Sequence, residues 1–588
     1  MKEERKEKIL SFISNKDYHP LKMKEIAMLL SVPTEDRDQL AEILDELERE
    51  GSIVQTKKGK YVLPHQVNFY FGEIKSNERG FAFFIPVDKE MEDVFIPPNM
   101  LYGALNGDKV YISIYKEGND ERRAEGRVEK ILERKNQNIV GLFNVYKDFA
   151  FVTPDNKRIN GDIYVAKSNF NGAQNNQKVV VRITKWAEGE RKAEGEVVEI
   201  IGHKKDVGVD ITSIAKSYDL HTDFPDTVIA EAKSITGISQ KDKEGRKDFT
   251  NLQTVTIDGE DAKDLDDAIT LEKLSDDRYM LGVHIADVSH YVQKGSQLDK
   301  EAYERGTSVY LVDRVIPMLP KELSNGICSL NMGEDRLAFS VMMEVDGKGN
   351  VLSQEICESV INVDERMTYT DVYKILEEDD KELKEKYISF LDMFSQMKEL
   401  ALILRAKREA RGAIDFNFTE TKVVMEDGKV VDVHPYEITI ANSIIEEFMI
   451  LCNETVSETF YWSDIPFVYR VHEDPDPEKI EVFAQFAHNL GYTLKNTEKI
   501  HPKELQGILN EAKGKKEERV ISEMMLRSMQ KAKYTSNNSR HFGLASNYYS
   551  HFTSPIRRYP DLLIHRIMKE YLAGTFDERQ EAYYESRL

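Results

Sequence analysis

The feature that most constrains this chain is a crowd of acidic residues between two apolar runs. The stretch IDGEDAKDLDDAI (257–269) follows the strand-like LQTVTI and ends on an apolar run. Crowded carboxylates repel one another and raise each other's pKa, so the arrangement is tolerable mainly around a divalent cation. Hard oxygen ligands suit Mg²⁺ or Mn²⁺, and two such ions can activate water and stabilise the leaving oxygen at a phosphodiester. The aspartates of the stretch are Asp258, Asp261, Asp264, Asp266 and Asp267.

The same stretch has two simpler interpretations, a calcium-structured loop and a charged turn without metal. An EF-hand loop requires a helix before it, a glycine in its middle and a glutamate at its end. Here Gly259 stands at the start, and the preceding segment alternates like a strand. The spacing favours a catalytic metal site and leaves a structural metal, or none, as alternatives.

Four blocks of the chain resemble the signature motifs of the ribonuclease II superfamily (RNB family). They are IDGEDAKDLDDA, HIADVSHYV (284–292), VIPMLPKELSNGICSL (315–330) and TSPIRRYPDLLIHR (553–566). Their order is most similar to the bacterial ribonuclease R branch, and the resemblance runs along the whole chain. It implies a magnesium-dependent, processive exoribonuclease that degrades RNA, including structured RNA, from the 3′ end to nucleoside 5′-monophosphates.

Composition bounds the class of protein. The 588 residues suggest about three to five domains, and no stretch approaches the roughly 20 apolar residues of a membrane span. The start of the chain lacks an apolar leader, so a cytoplasmic location is expected. Three widely spaced cysteines indicate reduced thiols rather than a disulfide framework or a zinc site.

The net charge of −23 is unusual for a nucleic-acid enzyme, because an acidic surface repels a polyanion. RNA binding then depends on a local basic channel, on metal at the aspartates and on stacking. Single-stranded RNA and 3′ overhangs of structured RNA are the expected partners, no membrane is expected, and the protein is expected to be a monomer.

The predicted fold class is multidomain α+β, with four parts. Residues 1–64 read as a winged helix, with Ile26, Leu29, Leu30, Leu40, Ile43, Leu44 and Leu47 as its core. Its wing lysines, Lys57, Lys58 and Lys60, either contact nucleic acid or belong to an accessory domain. Residues 65–135 and 136–204 share one plan of short alternating strands, which predicts two cold-shock-type OB barrels. Residues 205–588 read as one large α/β catalytic domain of the ribonuclease II type.

Aromatic residues cluster on one strand of each predicted barrel. Alternation turns some inward as core and leaves others outward, where they can stack on bases without reading sequence. The candidates for stacking are Phe81, Phe83, Phe149 and Phe151, with Phe84 on the same strand.

The resemblance implies further roles. The family's acidic quartet, the expected metal ligands, falls on Asp258, Asp264, Asp266 and Asp267, with Asp266 the most critical for cleavage; Asp261 lies outside this set. Arg557 matches the catalytic arginine, and its planar guanidinium suits phosphate oxygens. Tyr310 and Phe416 match aromatics that clamp the terminal bases, and Tyr369 and Glu446 match residues that contact the ribose 2′-hydroxyl.

Three alternatives remain open from the sequence. Ser443 and Glu446 have the spacing of a helix-capping box, which is a sufficient structural explanation for Glu446. The domain pattern also allows a non-catalytic single-stranded nucleic-acid-binding protein. Finally, the family's catalytic domain continues beyond the point that matches Leu588 and is followed by an OB domain, so a truncated or inactive fragment is a further expectation.

Overall fold

A computed structural model describes residues 2–88, 91–119, 122–187, 191–235, 237–275, 277–416, 420–495 and 499–587. The chain forms two compact units, Met1–Leu220 and His221–Leu588. Within the described ranges, no helix is both long and apolar enough to cross a membrane.

The first unit begins with three helices and a small antiparallel sheet of order β1-β3-β2. Their bounds are α1 (Lys2–Ile13), β1 (Leu21–Lys22), α2 (Met23–Leu29), α3 (Arg37–Arg49), β2 (Val54–Gln55) and β3 (Lys60–Val62). Leu40, Ile43, Leu44 and Leu47 recur at helical spacing along α3 and are buried. This is the predicted winged helix, and Lys57 and Lys58 lie exposed between β2 and β3.

One predicted core residue of this domain is wrong. Leu29 ends α2 and is 62% exposed. Ile26 and Ala27 are the buried residues of α2, whereas Leu29 is exposed at the C-terminal end of this short helix, and Leu30 is half-buried.

Two closed five-stranded barrels follow, with the same strand order. The first contains β4 (Tyr70–Ser76), β5 (Ala82–Pro86), β6 (Val94–Ile96), β7 (Lys109–Lys116) and β8 (Glu125–Glu133); the second contains β9 (Asn138–Val145), β10 (Phe149–Pro154), β11 (Ile163–Ala166), β12 (Gln177–Lys185) and β13 (Glu194–His203). Gly72 and Gly141 occupy equivalent positions. A Cβ there would lie 2.2 Å from the Ile85 carbonyl oxygen and 2.4 Å from that of Thr153, so both barrels need glycine where two strands approach closely.

Helix α4 (Val209–Ser217) packs on the second barrel through its buried residues Val209 and Ala215. It lies beyond residue 204, where the sequence suggested that the barrel domain ends. The first compact unit accordingly runs to Leu220.

The second unit is built on a seven-stranded sheet of order β14-β21-β20-β17-β16-β15-β22. Its strands are β14 (Lys247–Asp248), β15 (Val255–Asp258), β16 (Asp267–Ser275), β17 (Arg278–Ala286), β20 (Asp335–Asp346), β21 (Val351–Asn362) and β22 (Glu365–Thr368). Shorter pairs are β18 (Val309–Tyr310) with β19 (Val315–Ile316), β23 (Glu420–Glu426) with β24 (Lys429–Tyr436), and β25 (Tyr469–Val471) with β26 (Lys533–Thr535).

The helices of this unit surround the sheet and form a second cluster beside it. They are α5 (Asp226–Ser234), α6 (Gln240–Lys243), α7 (Val288–Tyr291), α8 (Gln297–Arg305), α9 (Tyr369–Tyr373), α10 (Lys381–Lys386), α11 (Leu391–Arg411), α12 (Ile440–Tyr461), α13 (Pro477–Asn489), α14 (Pro502–Ala512), α15 (Glu518–Ser528), α16 (Tyr559–Leu572) and α17 (Glu578–Glu585). Helices α11, α12 and α16 share the main core with the sheet. Helices α13, α14 and α15 form a separate hydrophobic cluster.

Candidate functional site

The acidic loop, residues 259–266, connects the adjacent strands β15 and β16 at one end of the sheet. Asp258 is the last residue of β15 and Asp267 the first of β16, and these strands are antiparallel. Residues 259–266 must therefore double back, which brings Asp264 and Asp266 to the same end of the sheet as Asp258 and Asp267. Asp261, in contrast, is exposed.

Two residues that the sequence did not single out hold the loop from either side. Arg366 on β22 donates from Nη2 to the carbonyl oxygens of Ala262 at 2.7 Å and Glu260 at 3.1 Å. The buried Ser329 hydroxyl accepts from the Leu265 amide at 3.1 Å and donates to the Lys263 carbonyl at 3.0 Å. No motif spacing points to Arg366, whereas Ser329 lies inside the third signature block.

Burial perturbs the carboxylates. Asp266 is 3% exposed, and Asp258, Asp264 and Asp267 are half-buried. Burial raises the pKa of Asp258, and the neighbouring Asp267 carboxylate raises it further. Burial also raises the pKa of Asp266 and of Asp267, against the lowering effect of Arg557. A buried, ionised carboxylate destabilises the folded state unless a nearby positive charge offsets the loss of hydration.

One observation indicates that these carboxylates suit a divalent cation. The buried Oδ2 atoms of Asp258 and Asp266 accept no hydrogen bond. Within the described part of the chain, no group of three or more acidic, imidazole or thiol side chains is arranged so that it could hold a metal ion by itself. Mg²⁺ typically binds through one or two carboxylates together with water and substrate phosphate, so this arrangement suits it better than a closed structural site.

Arg557 lies directly beside Asp266. The Ile556 amide donates to Asp266 Oδ1 at 2.8 Å, and Arg557 Nε lies 3.4 Å from Asp266 Oδ2. The side chain of Arg557 remains 46% exposed, so its guanidinium can still meet a phosphate. Helix α16 follows at once and is deeply buried, which anchors this segment against the acidic loop.

The other polar residues of this block are structural. Arg558 pairs with the fully buried Asp561 at 2.8 Å, and Arg566 pairs with Asp299 at 2.7 Å. His565 stacks on Phe552 and donates from Nε2 to its carbonyl oxygen at 2.9 Å. Burial lowers the pKa of His565 to about 4, so it is a neutral core residue.

Two of the predicted RNA-binding tyrosines lie at the acidic loop. Tyr310 is 53% exposed, and its hydroxyl donates to Asp264 Oδ2 at 2.9 Å. Tyr369 begins α9 directly after β22, whose Thr368 is paired with Asp258. Burial raises the pKa of Tyr369, and the charges of Asp267 and Asp258 raise it further, so its hydroxyl stays protonated beside them.

The capping explanation for Glu446 is wrong. Helix α12 begins at Ile440, and its capping box is formed by Thr439 and Asn442. Ser443 is therefore a buried position inside the helix, and the 51%-exposed Glu446 side chain lies 3.6 Å from Arg408 Nη2. The sequence signal for the true cap, a threonine three residues before an asparagine, is weaker than the S-x-x-E pattern that follows it.

Phe416 is half-buried and packs against the cluster formed by α13, α14 and α15. It is the last described residue before residue 420. Its predicted contact with RNA bases therefore stays a prediction.

The barrel aromatics alternate as the sequence predicted. Phe84 is buried, whereas Phe81, Phe83, Phe149 and Phe151 are half-buried. Each barrel also carries aromatics that sequence reasoning missed. Phe95 lies 5.4 Å from Phe81 and 5.9 Å from Phe83 by ring centroids, and Tyr146 and Tyr164 surround Phe149 and Phe151.

Cations accompany these rings. Arg123 lies 5.1 Å from the ring centroid of Phe83, and Lys192 lies 4.2 Å from that of Phe151. An exposed aromatic group with a cation above it is the combination that holds a base together with its phosphate.

Three domain families match the chain. The RNB domain matches residues 246–574, the cold shock domain 151–225, and the ribonuclease B OB domain 72–131. The chain is 44% identical to ribonuclease R of Thermotoga maritima over 584 residues, which cover 98% of this chain and 81% of that protein.

Solved structures give the same picture. RNase R of Mycoplasma genitalium in complex with ribose-methylated single-stranded RNA has a TM-score of 0.82 and 27% identity, covering 88% of this chain and 82% of that one. The same enzyme in complex with double-stranded RNA has a TM-score of 0.75 and 28% identity, covering 83% and 84%.

Proposed function

This chain belongs to the ribonuclease II/R family, and we propose that it degrades RNA processively, releasing nucleoside 5′-monophosphates and leaving a very short oligonucleotide. It is a 3′-to-5′ exoribonuclease that binds RNA. The M. genitalium relative has been captured with both single-stranded and double-stranded RNA, which supports structured RNA with a 3′ overhang as a substrate here. A monomer in the cytoplasm remains our expectation.

We propose magnesium as the cofactor, held by Asp258, Asp264, Asp266 and Asp267. The buried Oδ2 atom of Asp258 supports this, because it accepts no hydrogen bond and a buried carboxylate oxygen without a donor is otherwise destabilising. When bound, the metal supplies an activated water and stabilises the charge of the leaving oxygen. These carboxylates would hold it, and the Ile556 amide fixes Asp266 by donating to its Oδ1 atom.

The surrounding residues would position the strand. Arg557 is charged and half-exposed next to Asp266, so it can bind the scissile phosphate and stabilise the charge that builds on its oxygens. Tyr310 offers an exposed ring whose hydroxyl is tethered to Asp264, which suits stacking on the terminal nucleotide. Tyr369 and Glu446 are the proposed contacts to the ribose hydroxyl, and Phe416 is the second aromatic clamp.

The observation that carries this proposal is the union of Asp266 with Arg557. Asp266 is 3% exposed, whereas the Arg557 side chain beside it is 46% exposed, so the guanidinium is available to a phosphate oxygen at the acidic loop. In a phosphodiesterase, both groups act on the same phosphate.

The test is incubation of the purified protein with a 5′-labelled single-stranded RNA and Mg²⁺, resolved on a sequencing gel. We expect one short end product and full inhibition by chelator. Asp266→Asn should abolish hydrolysis and spare RNA binding, whereas Asp261→Asn, an exposed carboxylate of the same loop, should remain active.

Intact RNA with a mobility shift in a native gel would instead indicate a binding protein or an inactive fragment. Hydrolysis that survives Asp266→Asn would remove the acidic loop from the mechanism. Hydrolysis that continues in chelator would remove the metal.

A further inference from the structure

A group of cationic and aromatic side chains on strands β25 and β26 and the segment beside them has no role in the function proposed so far. Strands β25 and β26 pair Arg470 directly opposite Tyr534. The Arg470 guanidinium carbon lies 4.6 Å from the centre of the Tyr534 ring. Strands β25 and β26 form a two-stranded sheet, and Tyr534 on β26 is 37% exposed.

Tyr534 is held in one orientation. Its hydroxyl shares a 2.7 Å hydrogen bond with His551 Nδ1. His551 in turn lies edge-on to the buried Tyr549, at 5.6 Å between ring centroids. An exposed ring that is fixed at its polar end loses little conformational freedom when a planar ligand stacks on it.

The group is continuous along the chain with Arg557, which follows His551 by six residues. The Arg470 amide donates to the Tyr549 carbonyl oxygen at 2.9 Å, so β25 lies against the segment that leads to Arg557. Arg557 and Arg558 have the carboxylates Asp266 and Asp561 as partners. Across the described ranges, Arg470 forms no ion pair with a carboxylate. In a chain of net charge −23, an arginine without an acidic partner is available to bind an anion such as a phosphate.

We propose that Arg470 and Tyr534 form a nucleotide subsite for the substrate strand next to the scissile phosphate. The Tyr534 ring stacks on a base, and the Arg470 guanidinium binds the adjoining phosphate with the donors that are not occupied by protein. This combination of a backbone cation and a stacking ring is typical of sequence-tolerant RNA binding. The proposal rests on the exoribonuclease function above, because it assigns these residues to the same strand.

The competing explanation is that the pair only stabilises the β25–β26 ribbon. Cross-strand cation–aromatic pairs contribute to sheet stability by themselves. The two explanations differ in what they predict for RNA affinity at unchanged stability.

The experiment measures the dissociation constant of a 5′-fluorescein-labelled oligouridylate by anisotropy. All variants are full-length and carry Asp266→Asn, so that the probe stays intact. Tyr534→Leu keeps an apolar side chain but cannot stack, and it should weaken binding about 5- to 150-fold, the equivalent of one base stack of roughly 1–3 kcal/mol. Tyr534→Phe keeps the ring and should retain most of the affinity.

Arg470→Gln should reduce the slope of log Kd against log salt by about 0.7, the value for one phosphate contact to a single strand. Tyr534→Leu should leave that slope unchanged. Tyr461→Leu and Arg519→Gln are the matched controls. Tyr461 is 39% exposed and Arg519 is highly exposed, both lie in the same unit, and both should bind as the parent protein does.

A thermal melt is recorded for each variant. Unchanged affinity and salt slope in variants that melt like the parent would overturn the proposal. A second measurement needs no substitution at the site: oligouridylate that contains 4-thiouridine is cross-linked to the Asp266→Asn protein by ultraviolet light. Cross-links on the peptide with Tyr534 support the subsite, and cross-links confined to other peptides overturn it.

The result is independent of the test of hydrolysis. A chain that degrades RNA but cross-links elsewhere keeps its function and loses the subsite. A chain that binds through Tyr534 and degrades nothing keeps the subsite and loses the enzymatic function.

Discussion

At the scale of single residues, the site contains carboxylates whose burial raises their pKa and leaves some of their oxygens without a hydrogen bond. Asp258 and Asp266 each have a buried oxygen without a hydrogen-bond donor, and burial raises the pKa of both. Arg557 stays half-exposed although it lies next to a buried carboxylate. Such groups lower the stability of the folded protein, and they are expected at a site that binds a metal and a phosphate.

Tyr310 provides the sharpest prediction at this scale. Tyr310→Ala removes the exposed ring beside Asp264, so the last few nucleotides lose a stacking partner worth about 1–3 kcal/mol. Short products then dissociate before they are trimmed fully. We expect a longer end product on a sequencing gel, with degradation of long RNA retained.

Two variants control for this prediction. Tyr310→Phe keeps the ring and loses only the hydrogen bond to Asp264, and should give the normal end product. Tyr303→Ala removes a tyrosine of the same unit that is 49% exposed, and should also give the normal product. An unchanged product with Tyr310→Ala would remove the stacking role.

At the scale of elements, the two barrels share one arrangement of aromatic side chains. Each buries alternate side chains of its second strand and turns the other rings outward, where neighbouring strands add Phe95 in one barrel and Tyr164 in the other. The outward rings contact one another at centroid distances of 5.4–6.1 Å. Each barrel therefore offers a stacking surface rather than one isolated ring.

Phe83→Ala tests this surface in the first barrel. Phe83 contacts Phe81, Phe95 and Arg123, so its loss should weaken the binding of single-stranded RNA by about 1–3 kcal/mol. Equilibrium binding to the Asp266→Asn protein would measure this. Tyr115→Ala is the matched control, because Tyr115 is a 45%-exposed aromatic of the same barrel outside the cluster. Equal affinities of the two variants would count against the barrel face as an RNA surface.

At the scale of the whole molecule, stability depends on polar groups buried in the second unit. Asp287 is fully buried and pairs with Arg246 at 2.7 Å and Lys569 at 2.5 Å, which joins three distant segments of the chain. Burial alone would raise the pKa of Asp287, but the two cations lower it well below its ordinary value. Burial lowers the pKa of His284 to about 3 and that of His565 to about 4.

Both kinds of group make the protein sensitive to acid. The folded state keeps His565 neutral, whereas the unfolded chain binds a proton below the ordinary pKa of 6.5. The stability is therefore complete above that pKa and is lost as the pH falls toward the folded value, by about 3 kcal/mol near pH 4 for this one residue. Asp287 adds a further loss below its ordinary pKa of about 4.

We expect the buried histidines and Asp287 to lower the thermal midpoint between neutral pH and about 4, whereas the raised pKa of Asp258, Asp266 and Asp267 acts in the opposite direction. His565→Gln should lower the midpoint at neutral pH and flatten its dependence on pH, while His19→Gln, at an exposed position, should follow the parent. Calorimetry across this range would measure both. Parallel curves for the parent and His565→Gln would show that this histidine does not contribute to acid sensitivity.

Local patterns in the sequence determined much of this protein. The acidic crowd between apolar runs predicted the carboxylate site, and alternation predicted which barrel aromatics face outward, because strand periodicity acts over neighbouring residues. The family resemblance named Arg557 and Tyr310, which lie at Asp266 and Asp264. Periodicity was a poorer guide in short or overlapping signals, as Leu29 and the cap of α12 illustrate.

Only the tertiary structure decided how the site is held together. The Ile556 amide reaches Asp266 across 290 residues of chain, and Arg366 reaches the acidic loop through the parallel pairing of β22 with β15. It also decided that His565 and Arg558 are structural and that Arg470 faces Tyr534. These contacts depend on strand register and helix packing between distant segments, and no local pattern encodes them.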